Sequence, residues 1–263
     1  MTRVIKVGGR PQSDPALIKA LAAAHRSGFP TARRPTPDGL VVVHGGGDEV
    51  STLQRLYGVV AEFRDGRRVT RQSDIDIIRM ALSGSANKRL VSALVAERVP
   101  AIGLSGEDAC LIVASPLNFE QFGFVGVPDR VNTPLLGLLL ASSYMPVISP
   151  VSCCLDPSVG PTLNVNGDDA AAAIAVALEA TELLLVSDVA GVMKDGALVS
   201  MLAPEDAQRF IDDGTAQGGM SAKLQAALAA LEGGVERVRI SDIAAIEQLD
   251  RGTVLTRVGS VCA

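Results

Sequence analysis

Apolar residues in this chain fall into short blocks separated by amphipathic stretches. Residues 3–7, 40–44, 100–104, 110–114, 146–148, 182–187, 237–240 and 253–256 are brief, β-branched-rich runs, many of them closed by Gly, Pro or Asp. They read as buried strands. Helical spacing predicts helices over 15–26, from Gly47 to about Tyr57, and over 73–97, 133–141, 204–213, 220–231 and 243–249. Ser83-Gly84-Ser85 predicts a kink in the third of these. Hairpins are expected at 59–70 around Asp65-Gly66, at 122–131 around 126–129, and at 191–200 around Asp195-Gly196. The proline-rich segment 29–39 reads as a surface loop. Short strands alternating with helices predict an α/β fold with a mainly parallel central sheet. The hairpins at 59–70 and 122–131 stand outside that alternation and are candidates for a lid.

The centre of the pattern is 162–178, TLNVNGDDAAAAIAVAL. Asn164, Asn166, Gly167, Asp168 and Asp169 precede an uncharged helix, which gathers polar side chains at a helix N-terminus, where unpaired N–H groups favour anions. Asp168 can act there as a simple cap or as part of a site. A boundary between two lobes is expected just after this helix, dividing 1–180 from 181–263.

Two strands end in glycine clusters, VIKVGG at 4–9 and VVVHGGG at 41–47. Glycine lets a backbone approach phosphate closely at the carboxyl edge of a parallel sheet. Neither cluster satisfies G-x-G-x-x-G, and G-x-x-x-x-G-K-[ST] is missing, so Rossmann and Walker-type sites lose ground. Lys6 lies in an apolar strand, where an unpartnered ammonium is costly. Lys223 follows Gly218-Gly219 in the first turn of a helix, where a cation is disfavoured unless an anion compensates it. Snorkelling to solvent accounts for either alone. Together they point to a shared anionic ligand, with Asp168 as counter-charge. His44 reads as a helper of its turn, and Asp188 as either a cap or a nucleotide neighbour.

The net charge of −5 over 263 residues argues against general nucleic-acid binding. No apolar run reaches bilayer length, and a chain opening on TRVIKVGG leaves no room for a signal peptide, so a cytoplasmic protein is expected. Cysteines at 110, 153, 154 and 262 lack C-x-x-C spacing, and the histidines number 2. Reduced thiols are therefore expected, and no residue is assigned as a metal ligand.

KVGG (6–9), HGGG (44–47), GRRVT (66–70), NK (87–88), GLSGED (103–108), NVNGDDAA (164–171), SDVAG (187–191) and GGMSAK (218–223) together resemble the amino acid kinase family. The resemblance runs nearly the full length of the chain. It implies a three-layer α/β sandwich with an acceptor lobe over 1–180 and a nucleotide lobe over 181–263. The implied reaction is transfer of phosphate from ATP, with Mg²⁺, to the γ-carboxylate of N-acetyl-L-glutamate in arginine biosynthesis. Lys6 and Lys223 would neutralise the phosphoryl group, with Asp168 holding both. Gly45, Gly46, Arg68 and Asn164 would bind the acceptor. Gly8, Gly9, Asp188, Gly218 and Gly219 would border the nucleotide.

The chemistry is compatible: a carboxylate is already ionised at neutral pH, so the reaction needs alignment and charge neutralisation rather than a general base. Arg67, Gly167 and Asp169 depart from the family's usual Leu, Ala and Gln, and Asp48 and Ser51 from its usual Pro and Asn after the glycines. These changes leave the acceptor open, with an acylated aminoadipate as the alternative and Arg67 as an alternative carboxylate partner. A non-catalytic sensor on the same fold is the reading from another class. A homodimer insensitive to arginine is expected.

Overall fold

A computed structural model describes residues 2–27, 39–64 and 67–256. Strand β1 (Thr2–Val7) opens the chain, and α1 (Pro15–Arg26) follows with Asp14 accepting the Ala16 amide as its cap. β2 (Gly39–His44) leads into α2 (Gly47–Leu56), and β3 (Phe63–Arg64) pairs antiparallel with β4 (Arg67–Arg68) as a hairpin. α3 (Asp74–Arg79) runs through a π-helical stretch at Met80–Ala86 into α4 (Asn87–Ala96). The kink expected at Ser83-Gly84-Ser85 is this widened turn. Next come β5 (Ala101–Gly106), β6 (Ile112–Pro116), the single-turn α5 (Phe119–Phe122), β7 (Val125–Val131), α6 (Thr133–Ala141) and β8 (Met145–Cys153).

β9 (Thr162–Val165) and α7 (Gly167–Ala177) form the polar-to-apolar centre of the chain. β10 (Glu182–Val186), the small hairpin β11 (Met193–Lys194) and β12 (Ala197–Leu198), α8 (Pro204–Asp212), α9 (Gly219–Glu232), β13 (Arg237–Ser241) and β14 (Thr253–Thr256) complete it. The proline-rich loop expected over 29–39 falls mostly outside the described residues, as does Cys262.

Ten strands form one sheet in the order β14-β13-β10-β1-β2-β8-β6-β7-β9, with β5 also paired to β8. Its middle is parallel: β1 lies between β10 and β2, with Lys6 opposite Leu185 on one side and Val43 on the other. The antiparallel pairings are β13 with β14, β6 with β7, and β8 with β9.

Helices cover both faces, and strand parity assigns residues to each. Val4, Val41, Val43, Leu183 and Leu185 pack with α7 and α9, whereas Ile5, Val7, Val42, Leu184 and Val186 pack with α1.

Two expectations need correction. The segment 122–131 is not a hairpin: Val125–Val131 is one strand paired with β6. Gly126 and Pro128 mimic a turn, but a Cβ at Gly126 would lie 2.9 Å from the Leu163 Cβ, so that glycine serves close packing. Pro128 sits where the register shifts, a position that tolerates a missing N–H. The helix expected over 243–249 is only a 3-10 turn, Ile243–Ile246.

Candidate active site

Parity of β1 places Lys6 on the face occupied by Val4, beneath α7. The Lys6 ammonium lies 2.9 Å from Asp168 Oδ1. Lys223, on α9, reaches Asp168 Oδ2 at 3.2 Å. All three residues are buried. Burial would raise the Asp168 carboxyl, but Lys6 and Lys223 outweigh it and hold the group below its ordinary range. Burial and the neighbouring Lys6 charge lower the Lys223 ammonium, against the pull of Asp168. Asp168 is not the helix cap. Asn166 is, accepting the Asp168 amide at 2.7 Å, which leaves the Asp168 carboxylate to the lysines.

Two clefts meet at Lys6. The first, about 220 Å³, is lined by Gly45, Gly46, Arg68, Asn164 and Asp168 among others; the second, about 450 Å³, is lined by Gly8, Asp188, Gly219 and Lys223. Lys6, Gly9 and Gly47 line both. The first residues of α2, α7 and α9 (Gly47, Gly167 and Gly219) border this junction, so three helix N-termini add partial positive charge to it.

The glycines divide by use. The Gly8 amide donates to Val186 O and the Gly45 amide to Val7 O, extending the strand ladders. Their N–H groups are therefore committed to the sheet. Among the described residues, the Gly9, Gly46 and Gly47 amides have no such acceptor and remain able to bind oxyanions. Gly218 does not line either cleft. It starts α9 with φ +54°, a left-handed conformation that suits glycine.

Arg67 and Arg68 differ in how their charges are spent. Arg67 Nη1 donates to Asp169 Oδ2 at 2.6 Å, a mostly buried ion pair. Arg68 donates to the Gln54 side-chain oxygen, to Gly47 O at 2.9 Å and to Ser51 Oγ at 2.8 Å, all uncharged, and lies over the Phe63 ring. Among the described residues it pairs with no carboxylate. Arg68 is thus the guanidinium available to an incoming carboxylate. Asn164 donates to Thr70 Oγ1 at 3.0 Å from the cleft wall.

His44 helps its turn, as expected. Its Nδ1 donates to Gly45 O at 2.8 Å, and its Nε2 accepts from Asn87 at 3.1 Å. Burial lowers its pKa to about 4. Asp188 is tied to Arg10 at 3.0 Å on the rim of the second cleft.

Sequence reasoning missed Gln12, whose amide donates to Gly8 O at 3.0 Å and Gly45 O at 2.9 Å and so ties the two glycine turns together. Nothing in its local sequence signals this. Asp48, noted only as a departure, lines the second cleft, as does Asp188. Magnesium in phosphoryl transfer keeps waters and phosphate oxygens and needs only one or two carboxylates. Asp48 and Asp188 fit that requirement. Among the described residues there is no cluster of three or more His, Cys, Asp or Glu able to cage a metal.

The family model for the amino acid kinases matches residues 1–242. An acetylglutamate kinase of Chloroflexus aurantiacus is 43% identical over 255 residues, 96% of each chain. That of Geobacillus stearothermophilus is 39% identical over 241 residues, 91% of this chain and 89% of its own. Among solved structures, smu.665 from Streptococcus mutans superposes with a TM-score of 0.83 at 28% identity, covering 97% of this chain and 98% of that one.

Proposed function

The chain belongs to the amino acid kinase family, and we infer that it transfers the γ-phosphoryl group of ATP to the γ-carboxylate of N-acetyl-L-glutamate, a step of arginine biosynthesis. The observation that carries this reading is the pair of clefts joined at Lys6, with two lysines on one carboxylate at the junction.

In this reaction a carboxylate oxygen of the acceptor bonds to the γ-phosphorus while the bond to the β–γ bridging oxygen breaks. The products are an acyl phosphate and ADP. The acceptor is ionised at neutral pH, so no proton must be removed. The barrier comes from bringing two anions together, and fixed positive charge in a buried site lowers it. Lys6, in both clefts, faces acceptor and phosphate. Lys223 faces the nucleotide side only. Asp168 holds both ammonium groups in place without neutralising either fully. The amides of Gly9, Gly46 and Gly47 and the three helix N-termini complete the cradle. Arg68 takes the acceptor's α-carboxylate, and Asn164 its amide. Magnesium, when bound with the nucleotide, neutralises phosphate charge, and Asp188 and Asp48 are the carboxylates able to hold it.

The division of labour follows the chain. The residues lining the acceptor cleft all precede residue 180, whereas Ser187, Asp188, Val189, Gly219, Met220 and Lys223 join the nucleotide cleft from beyond it. This supports an acceptor lobe over 1–180 and a nucleotide lobe over 181–263. A homodimer is part of the proposal on family resemblance alone, and sedimentation at the mass of one 27.2-kDa chain would overturn it.

Hydroxylamine trapping of acyl phosphate tests the reaction. With ATP and Mg²⁺, N-acetyl-L-glutamate should give the hydroxamate, and EDTA should abolish it. A stronger signal from an N-acylated aminoadipate would move the assignment to the longer acceptor. No hydroxamate from either would favour a sensor.

A further inference from the structure

The hairpin carrying Arg68 lines the acceptor cleft, yet β3 and β4 form a two-stranded sheet of their own. Among the described residues no ladder joins these two strands to the main sheet, and the nearest backbone tie is the bridge of Thr70 to Gly123, two residues beyond β4. There the Thr70 amide donates to Phe122 O at 3.0 Å and Thr70 O accepts from the Phe124 amide at 2.8 Å. Side chains seat the hairpin itself. Arg64 donates to Gln121 O at 3.1 Å in an exposed contact, and Arg68 reaches the first turn of α2. A further side-chain tie is Arg67 to Asp169, at 2.6 Å with side chains 18% and 15% exposed. Exposed pairs contribute little, whereas separating a buried pair leaves an uncompensated charge, which opposes parting its two partners. This one joins the hairpin to the first turn of α7, next to Asp168.

A second observation concerns the cleft walls. Arg67 lines the acceptor cleft and, together with Asp169, a mainly apolar groove of about 570 Å³ between β7, α7 and α9. The ion pair therefore stands as the partition between the two spaces. Arg67 is next to Arg68 in sequence, so its position limits where the Arg68 fork can lie.

We propose that the Arg67–Asp169 ion pair is a latch that seats the hairpin on α7 and thereby positions Arg68 for the acceptor carboxylate. The proposal rests on the acceptor role given to Arg68 above. Arg67 acts here as a positioning residue: its charge is committed to Asp169, and it governs acceptor binding through the hairpin.

The test compares kinetics and amide exchange in Arg67→Gln, Asp169→Asn and the double variant. Arg67→Gln should raise the KM for N-acetyl-L-glutamate about ten-fold while the KM for ATP stays within about two-fold. The double variant should keep the raised acceptor KM, and Arg67→Lys should restore part of the loss. Backbone exchange of the 63–68 hairpin should quicken in all three loss variants, with α7 unchanged.

If the double variant returns to the wild-type KM, the bare Asp169 charge caused the effect and the latch is refuted. Equal rises in both KM values, or unchanged hairpin exchange, also refute it. Should Arg67→Gln fail to fold, the isosteric Asp169→Asn carries the exchange measurement. If the unmodified enzyme gives no hydroxamate with any acceptor, the kinase reading falls, and exchange alone still decides the latch.

Discussion

Lys223 donates to both oxygens of the Asp168 carboxylate, at 3.2 and 3.3 Å, while Lys6 holds Oδ1 at 2.9 Å. One buried carboxylate thus orients two ammonium groups drawn from opposite ends of the chain. Asp168→Asn would leave two like charges facing a neutral amide. We expect kcat to fall by about two orders of magnitude or more, with a stability loss of about 3–5 kcal/mol, the usual result of removing one partner from a buried pair. Asp168 raises the Lys223 pKa, so its loss lowers that pKa further. The alkaline limb of the kcat profile should move to lower pH. An unmoved limb would mean that Lys223 does not depend on Asp168.

His44 gives a pH dependence of known sign. Its folded pKa, about 4, lies below its ordinary 6.5, so between these values the unfolded chain binds more protons. Stability from this group is full above pH 6.5 and is lost as pH falls towards 4. The loss between pH 7 and pH 5 should be about 2 kcal/mol. Urea unfolding at both pH values, compared with His44→Asn, isolates it. Equal slopes in the two proteins would contradict the assignment.

Glu182 separates stability from catalysis. It accepts from Arg3 Nε at 2.6 Å and Arg239 Nε at 2.7 Å, and pairs with Arg237 at 2.7 Å. Burial would raise its carboxyl, but the arginines hold it lower. Its stabilisation is therefore present above the ordinary Glu range and lost as pH falls through the folded value. Glu182→Ala should cost about 3–5 kcal/mol. Glu182 begins β10 and the site lies at that strand's other end, about 13 Å away by strand rise, so kcat well below the melting temperature should stay within about two-fold. A large kcat loss in the folded variant would show that this cluster reaches the site.

Cys153 should label slowly. Burial and the adjacent Cys110 thiol, 2.9 Å away, push its pKa up to about 11. Its thiolate fraction at pH 8 is then about two orders of magnitude below that of an unperturbed cysteine. Mass-resolved iodoacetamide labelling reads this site by site, and Cys110→Ala should speed it. Labelling of Cys153 at the rate of a free thiol would remove the basis for this expectation.

Much of this was legible in the chain itself. The alternation of short apolar blocks with helical periods specifies a parallel α/β sheet, because burial on both faces demands such blocks. Lys6 in an apolar strand and Lys223 at a helix start were visible as misplaced charge, and burying charge is costly enough to require a reason. The sequence could not say which arginine of Arg67–Arg68 is available, since that depends on Asp169 lying across the cleft, 102 residues away. Nor could it show that Gly8 and Gly45 spend their amides on neighbouring strands, or that Gln12 ties their turns together. The false hairpin at 122–131 has the same origin: Gly126 and Pro128 carry turn chemistry locally, and only Leu163 packing against that glycine makes the segment a strand. Local periodicity and propensity act over a few residues and are written in order along the chain. Partnerships between charges and hydrogen-bonding groups depend on through-space distance, which only the packed sheet and its helices set.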